Sequence, residues 1–295
     1  MGRESIELEP LFLLQSPYEK ARHFFTLLFK EVGISHSFLT EEERKLFAWY
    51  YGNLEPRDVA RRNHFCHRHS QRVQHLVNVA TDGQKILDAG CGLGSEAILC
   101  GTLGAHVIGV DPLEQYVNVA KKRLKIYEQA LGRRISTEFN AQSVFDVQDS
   151  FDVIWSLESI SHIDPADRFV AYAYEHLNEG GKLIISDPNK LNPLIYWNTR
   201  KASRRQGSPV IYVHNPHTGE MITWAVERVF DVFSIKKLLL RHGFVIESCH
   251  YSGLLPYLPG LNIMQSNISL YLEKLMNPIW PKVLSGIYTV VASKS

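Results

Sequence analysis

The sequence has few cysteines, almost no net charge and no long apolar run, and each shortage excludes a class of protein. Its four cysteines, Cys66, Cys91, Cys100 and Cys249, have no paired spacing, which indicates reduced thiols rather than a disulfide framework. A formal charge of +1 over 295 residues offers no global field for nucleic acid or an anionic membrane. No apolar run approaches the roughly 18 residues of a membrane span, and the N-terminal MGRESIELEP lacks the apolar region of a signal peptide. We therefore expect a cytoplasmic protein with no nucleic-acid partner and no membrane span.

Two kinds of apolar pattern divide the chain. Apolar residues recur at helical spacing over 18–33 and 40–52, and Thr40 followed by Glu43 predicts a capping box. Further along, short apolar runs alternate with helical patterns. The predicted strands cover 85–89, 106–110, 135–140, 151–156, 181–186, 244–251 and 285–293, and the predicted helices cover 94–103, 113–130, 165–177 and 233–242. Apolar strands separated by helices predict a doubly wound α/β fold, with a parallel sheet covered on both faces.

The patterns predict four parts. Residues 1–80 form a helical N-terminal extension that acts as a lid or pocket wall, and residues 81–190 form the α/β core. Residues 191–230 interrupt the alternation with prolines, aromatic residues and the basic stretch RKASRR, which is typical of an inserted lid over an acceptor site. Residues 231–295 complete the sheet.

The strongest motif is the glycine loop in KILDAGCGLGSEAI, residues 85–98. Glycine allows a tight turn and lets a ligand approach the backbone, and the helix that follows offers free N–H groups. A strand-to-helix turn that merely needs glycine is the plainer alternative. The spacing is G-x-G-x-G, whereas dinucleotide-binding turns favour G-x-G-x-x-G. This difference argues against a nicotinamide-dependent oxidoreductase, which remains a rival alongside a binding module without catalysis.

The loop and the Asp88 before it resemble the first motif of class I S-adenosylmethionine-dependent methyltransferases. The likeness, to small-molecule types such as the tocopherol, cyclopropane and sterol methyltransferase groups, covers 85–188 well and 229–293 more loosely. It implies a Rossmann-like, mostly parallel seven-stranded sheet and S-adenosylmethionine as cofactor. The residues it assigns to cofactor binding are Asp88, Gly90, Cys91, Gly92, Gly94, Asp111, Pro112, Asn140, Ala141, Gln142 and Ser156.

Two of these residues have a second interpretation. Asp111 ends the second strand, where a carboxylate accepts hydrogen bonds from ribose hydroxyls, but it is also suited to cap the helix that begins near Leu113. Asn140 stands where the resembling family usually has an aspartate facing the adenine, and it is equally a common turn residue.

The segment WSLESISHI, residues 155–163, follows the fourth strand and holds the catalytic candidates Glu158 and His162. Ligands of a doubly wound sheet bind at the carboxyl ends of its strands, so both side chains are expected near the methyl donor. The resemblance implies an acid beside the cofactor or a developing cation, and His162 suits a base. The alternatives are a capping or solvent-facing Glu158 and a His162 packed against its loop. We expect methyl transfer to a small molecule, with O-methylation favoured over N- or C-methylation of a lipid or isoprenoid-like acceptor.

The stretch NHFCHRHS contains His64, Cys66, His67 and His69, residue types that also bind zinc. A structural zinc site usually takes paired ligand sets, and this stretch has one cysteine and no second half. It leads into the amphipathic QRVQHLVNVA, so we predict one helix entering the core and no metal. Because that helix comes just before the first strand, it is placed to line the cofactor or acceptor pocket.

Overall fold

The computed structural model describes residues 6–34, 37–51, 59–197, 210–214, 221–225, 228–253 and 281–295. Within these ranges, the helices are α1 (Glu9–Leu13), α2 (Pro17–Ile34), α3 (Glu41–Tyr50), α4 (Val59–Val77), α5 (Ser95–Thr102), α6 (Glu114–Leu131), α7 (Ala166–His176) and α8 (Val232–Arg241). The strands are β1 (Lys85–Ala89), β2 (His106–Val110), β3 (Thr137–Asn140), β4 (Phe151–Leu157), β5 (Leu177–Pro188), β6 (Val210–His214), β7 (Met221–Ala225), β8 (Phe244–Ser252) and β9 (Ile287–Lys294).

The main sheet has seven strands in the order β3-β2-β1-β4-β5-β9-β8. The pairings from β3 through β5 are parallel, whereas β9 is antiparallel to both of its neighbours. The predicted doubly wound, mostly parallel sheet is therefore confirmed. The strand order reverses between β1 and β4, and ligands of such sheets bind in the crevice beyond the carboxyl ends at this point.

Alternate side chains of each central strand enter two different cores. On β1, Ile86 packs into the core that includes Phe25 and Val73 from the N-terminal helices, while Leu87 packs into the core that includes Phe169 and Leu239. Burial on both faces explains why the central strands are continuously apolar in sequence. The N-terminal helices consequently share a hydrophobic core with the sheet.

The helical N-terminal prediction is confirmed in its details. The side chain of Thr40 accepts from the Glu43 backbone N–H while Glu43 accepts from the Thr40 N–H, so the capping box forms at the start of α3. The stretch NHFCHRHS lies within α4, as one helix. Within the described part of the chain, no helix combines the length and apolar character needed to cross a membrane.

One boundary differs from the prediction. The helix predicted over 165–177 ends at His176, and β5 begins at Leu177 rather than at residue 181. Leu177 pairs with Phe151 of β4, after which the register shifts so that Lys182 pairs with Val153. Gly180, at φ 73°, lies inside this irregularity, so the strand starts early because a glycine absorbs the shift.

The predicted insertion contains the antiparallel hairpin β6–β7. The basic stretch at 200–205 and the apolar segment at 267–280 lie outside the described residues. The role of the insertion as an acceptor-site lid stays a prediction.

Candidate active site

A cavity of about 790 Å³ opens at the carboxyl ends of β1, β2 and β4. Its floor is the glycine loop after β1, and one side is the segment after β4. Its cover comes from α2, α3 and α4 and the residue after α3, and consists of Phe25, Trp49, Tyr50, Tyr51, Phe65 and His69. Residues of the N-terminal helices thus line the cavity, while the role of residues 1–80 as a lid or pocket wall stays a prediction.

The glycine loop has a backbone that other residues would strain. Gly90, Gly92 and Gly94 have φ values of 78°, 50° and 77°, in the left-handed region. Space is also short, because a Cβ on Gly92 would lie 2.0 Å from the Tyr50 hydroxyl and one on Gly90 would lie 2.5 Å from Ser159 Cβ. Glycine therefore suits both the backbone conformation of this turn and the close packing of Tyr50 and Ser159 against it.

Two carboxyl groups flank the loop. Asp88 is buried, and its Oδ2 has no hydrogen-bond partner among the described residues. Burial raises the Asp88 pKa well above its usual value, and the nearby Glu96 and Asp111 add to the effect. Asp111 accepts from the Gly92 N–H at 3.1 Å and from the Leu113 N–H at 2.9 Å, and burial raises its pKa to about 6.

The capping interpretation of Asp111 is wrong. Helix α6 begins at Glu114, its N-cap position is Leu113, and no side chain caps it. Asp111 instead binds the backbone N–H two residues ahead and the glycine loop, so its carboxylate ties the end of β2 to that loop.

The predicted cofactor residues fall into two groups. Those that line the cavity are Asp88, Gly90, Cys91, Gly92, Gly94, Asp111 and Pro112; those that do not line it are Asn140, Ala141, Gln142 and Ser156. The residues directly after Gln142, Ser143 to Asp146, line it in their place.

The residues outside the wall have local roles. The Asn140 carbonyl accepts from the Asp111 N–H at 3.3 Å and from the Gln142 N–H at 3.1 Å, which fits the turn interpretation of this position. The Ser156 hydroxyl lies 2.6 Å from Ser159 Oγ, and the Ser159 hydroxyl donates to the Ala89 carbonyl at 2.5 Å. Ser156 thus supports the wall through Ser159, while contact of these four residues with a cofactor stays a prediction.

Glu158 lines the cavity and is paired with Arg72 of α4. It has a positive φ of 53°, and its N–H donates to the Ser186 carbonyl at 2.9 Å. Arg72 is almost fully buried, and it donates from Nε to Ser186 Oγ and from Nη2 to the Ser186 carbonyl, both at 2.9 Å. The guanidinium holds the pKa of Glu158 down at about 2. Glu158 is therefore a fixed carboxylate facing the cavity.

Arg72 was not among the residues predicted from the sequence, although the pattern of α4 contains a signal for it. Phe65, His69, Arg72 and Leu76 recur at helical spacing on one face of α4. A single arginine on an apolar helix face predicts a buried partner, because an unpaired charge there is very costly.

His162 and His69 both line the cavity. The His162 backbone N–H donates to the Ser159 carbonyl at 2.8 Å. The His69 ring centroid lies 4.1 Å from that of Phe65, and burial lowers the His69 pKa to about 3. A pKa this low favours the neutral form of the His69 imidazole at neutral pH. Separately, the described residues include no group of three or more His, Cys, Asp or Glu that could hold a metal ion.

The strand order and the glycine-loop cavity together define the class of an S-adenosylmethionine-dependent methyltransferase domain. Residues 59–248 match the methyltransferase domain family, and the chain belongs to this family. The buried, unpartnered Asp88 oxygen, the Asp111 carboxylate and the glycine cradle fit the amine and hydroxyl donors of S-adenosylmethionine, the family's cofactor.

Curated relatives match part of the chain. It is 33% identical over 120 residues to the mitochondrial ubiquinone biosynthesis O-methyltransferase of Mus musculus, covering 40% of this chain and 32% of the relative. It is 35% identical over 109 residues to phosphoethanolamine N-methyltransferase 1 of Triticum aestivum, covering 36% and 21%. The chain thus spans about a third or less of the length of these relatives.

A solved structure extends the likeness in fold over most of the chain. The magnesium protoporphyrin IX methyltransferase of Synechocystis PCC 6803 with bound SAH superposes with a TM-score of 0.56, covering 90% of this chain and 100% of that one. Its sequence identity of 16% means that this likeness concerns the fold alone.

Proposed function

We propose that this chain methylates a hydroxyl group of a small-molecule acceptor, with S-adenosylmethionine as the donor. The observation that carries the proposal is one cavity with the glycine loop and Asp111 on its floor and His162 and Glu158 on its side. The relatives named for O-methyl and N-methyl transfer to small molecules support the same reaction class.

The bound cofactor supplies an electrophilic methyl group on its sulfonium, and the chain supplies position and proton removal. Holding donor and acceptor in line lowers the barrier of such a displacement. His162 then accepts the acceptor's hydroxyl proton.

Two other titratable side chains of the cavity, Glu158 and His69, are poor candidates for the base. With pKa values of about 2 and about 3, Glu158 and His69 bind protons too weakly at neutral pH to act as efficient bases. Glu158 contributes a fixed negative charge that favours positive charge developing beside it.

N-methylation is the second candidate, and Glu158 is the observation that favours it. A carboxylate held in ionised form among Tyr50, Phe65 and other aromatic side chains suits an acceptor that is cationic before or after transfer. Under this alternative, an amine acceptor turns over faster than a phenol of similar size.

The reaction is tested by measuring S-adenosylhomocysteine release over a panel of phenols, amines, and isoprenoid or lipid acceptors. Release with a phenol supports the first candidate, and release only with amines supports the second. Tight nicotinamide binding with no S-adenosylmethionine binding would overturn both, and cofactor binding without turnover on any acceptor would favour a binding module.

The catalytic assignment is tested with His162→Ala. We expect kcat at neutral pH to fall by about 10²–10⁴-fold, the usual contribution of a general base. Cofactor affinity, measured by calorimetry, should stay unchanged, because the glycine loop and Asp111 are intact. If both His162→Ala and Glu158→Gln keep wild-type turnover, the segment after β4 has only a structural role.

A further inference from the structure

A fully buried ion pair joins the N-terminal helices to the core. Arg123 of α6 donates from Nε to Glu31 Oε2 at 2.6 Å and from Nη2 to Glu31 Oε1 at 2.9 Å, and neither side chain is exposed. The Tyr127 hydroxyl also donates to Glu31. A buried ion pair is a weak means of stabilising a fold compared with apolar packing of the same volume. The remaining hydrogen bonds of Arg123 therefore indicate what the pair does in this fold.

Those other contacts reach the glycine loop. Arg123 Nη1 donates to the Leu93 carbonyl and, at 2.9 Å, to the Tyr51 hydroxyl oxygen. The Tyr51 hydroxyl lies 2.5 Å from Ser95 Oγ, at the first residue of α5. Because a guanidinium can only donate, the Tyr51 oxygen accepts from Arg123 and its own proton is available for Ser95.

The loop needs support from outside. Leu93 lies between Gly92 and Gly94, both with positive φ, and the N-cap of α5 is Gly94, which has no side chain to cap the helix. Glycine loses more conformational freedom on ordering than any other residue. Arg123 holds the Leu93 carbonyl, and the Tyr51 hydroxyl holds Ser95 Oγ, so the two residues on either side of Gly94 are both fixed by hydrogen bonds.

We propose that Tyr51 and Arg123 are positioning residues that hold the glycine loop in its cofactor-binding shape and couple the seating of the N-terminal helices to cofactor affinity. The inference rests on the proposed function, because it assumes that the loop binds S-adenosylmethionine. It assigns Tyr51 a task beyond covering the cavity, since its hydroxyl connects the end of α3 to the arginine and the serine that flank the loop. The affinity of a site falls by the fraction of molecules in which it is correctly shaped.

The chain offers a matched pair of variants for the test. Tyr51→Phe and Tyr127→Phe each remove one buried hydroxyl from the same network, but only the Tyr51 hydroxyl contacts α5 and the arginine group that holds Leu93. We expect both variants to lower the melting temperature. Only Tyr51→Phe should weaken S-adenosylhomocysteine binding in calorimetry, by about fivefold, the effect of one lost hydrogen bond.

Hydrogen exchange gives a readout that does not depend on activity. S-adenosylhomocysteine should slow exchange in Glu41–Tyr50 of the wild type and of Tyr127→Phe, and less so in Tyr51→Phe. Exchange in Val232–Arg241, on the far side of the sheet, serves as the internal reference.

The outcomes separate this inference from the function it rests on. A wild type that does not bind S-adenosylhomocysteine refutes the proposed function, and the coupling with it. Equal affinity in wild type and Tyr51→Phe, or an equal loss in Tyr127→Phe, refutes the positioning role alone. If Tyr51→Phe does not give a native circular dichroism spectrum, Ser95→Ala removes the other partner of the same hydrogen bond and is held to the same criteria.

Discussion

Asp111 shows how burial sets the protonation of a single residue. Its pKa in the folded chain is about 6, whereas an aspartate in an unfolded chain titrates near about 4. Because the folded-state value is the higher one, any stability that the protonated form contributes is lost as the pH rises through about 6. For the predicted contact with ribose hydroxyls the carboxylate is nevertheless the better acceptor, so we expect cofactor binding and stability to respond to pH in opposite directions.

This opposition predicts a pH-dependent affinity. We expect S-adenosylhomocysteine binding to strengthen as the pH rises from about 5 to about 7, while Asp111 loses its proton. Asp111→Asn should bind more weakly at pH 7 and show a flatter pH profile, because its amide does not titrate. Calorimetry at several pH values measures both, and the same slope in wild type and variant would contradict the assignment.

At the scale of elements, the glycine loop requires glycine for two separable reasons. Gly92 has φ 50° and a neighbour that a Cβ would meet at 2.0 Å, whereas Gly83, in the turn before β1, has φ 81° and nothing within 4 Å. The two positions share backbone strain and differ in space.

Gly92→Ala and Gly83→Ala therefore separate strain from crowding. Both should lower the free energy of unfolding by about 1–2 kcal/mol, the cost of a left-handed conformation for an L-residue. Only Gly92→Ala should also weaken S-adenosylhomocysteine binding, by about tenfold or more, because its Cβ displaces Tyr50 or the loop. Urea unfolding and calorimetry give the two quantities, and equal affinities in the two variants would show that crowding at Gly92 is unimportant.

Elements with a strong local pattern were predicted from the sequence, and the exceptions have physical causes. The capping box at Thr40 is a local signal, and it was confirmed. The early start of β5 was missed because it depends on the pairing of Leu177 with Phe151, 26 positions away in the chain. The capping assignment of Asp111 failed because α6 begins later than its sequence pattern indicates.

At the scale of the whole molecule, buried arginines connect the N-terminal helices to the α/β core. Arg72 of α4 reaches Ser186 at the end of β5, and Arg123 of α6 reaches Glu31 of α2. Removing one partner of such a pair leaves the other charge buried, which costs far more than the intact pair contributes.

Glu31→Gln is accordingly expected to be severely destabilising. We expect the free energy of unfolding to fall by about 3–5 kcal/mol, because Arg123 then loses its charged partner in a fully buried place. Glu41→Gln removes the same charge from an exposed pair with Lys45 and should change stability by less than about 0.5 kcal/mol. Urea unfolding followed by circular dichroism compares the two, and similar losses would mean that the Glu31 pair is not special.

The sequence by itself determined the class of fold, the glycine loop and the region after β4 where Glu158 and His162 lie. These features depend on residues close together in the chain, where periodicity and glycine spacing carry the signal. Only the tertiary structure decided what those residues contact. The partner of Glu158 is 86 residues away and that of the Tyr51 hydroxyl is 44 residues away. No local pattern specifies such pairs, because they exist only once the N-terminal helices have packed over the carboxyl ends of the strands.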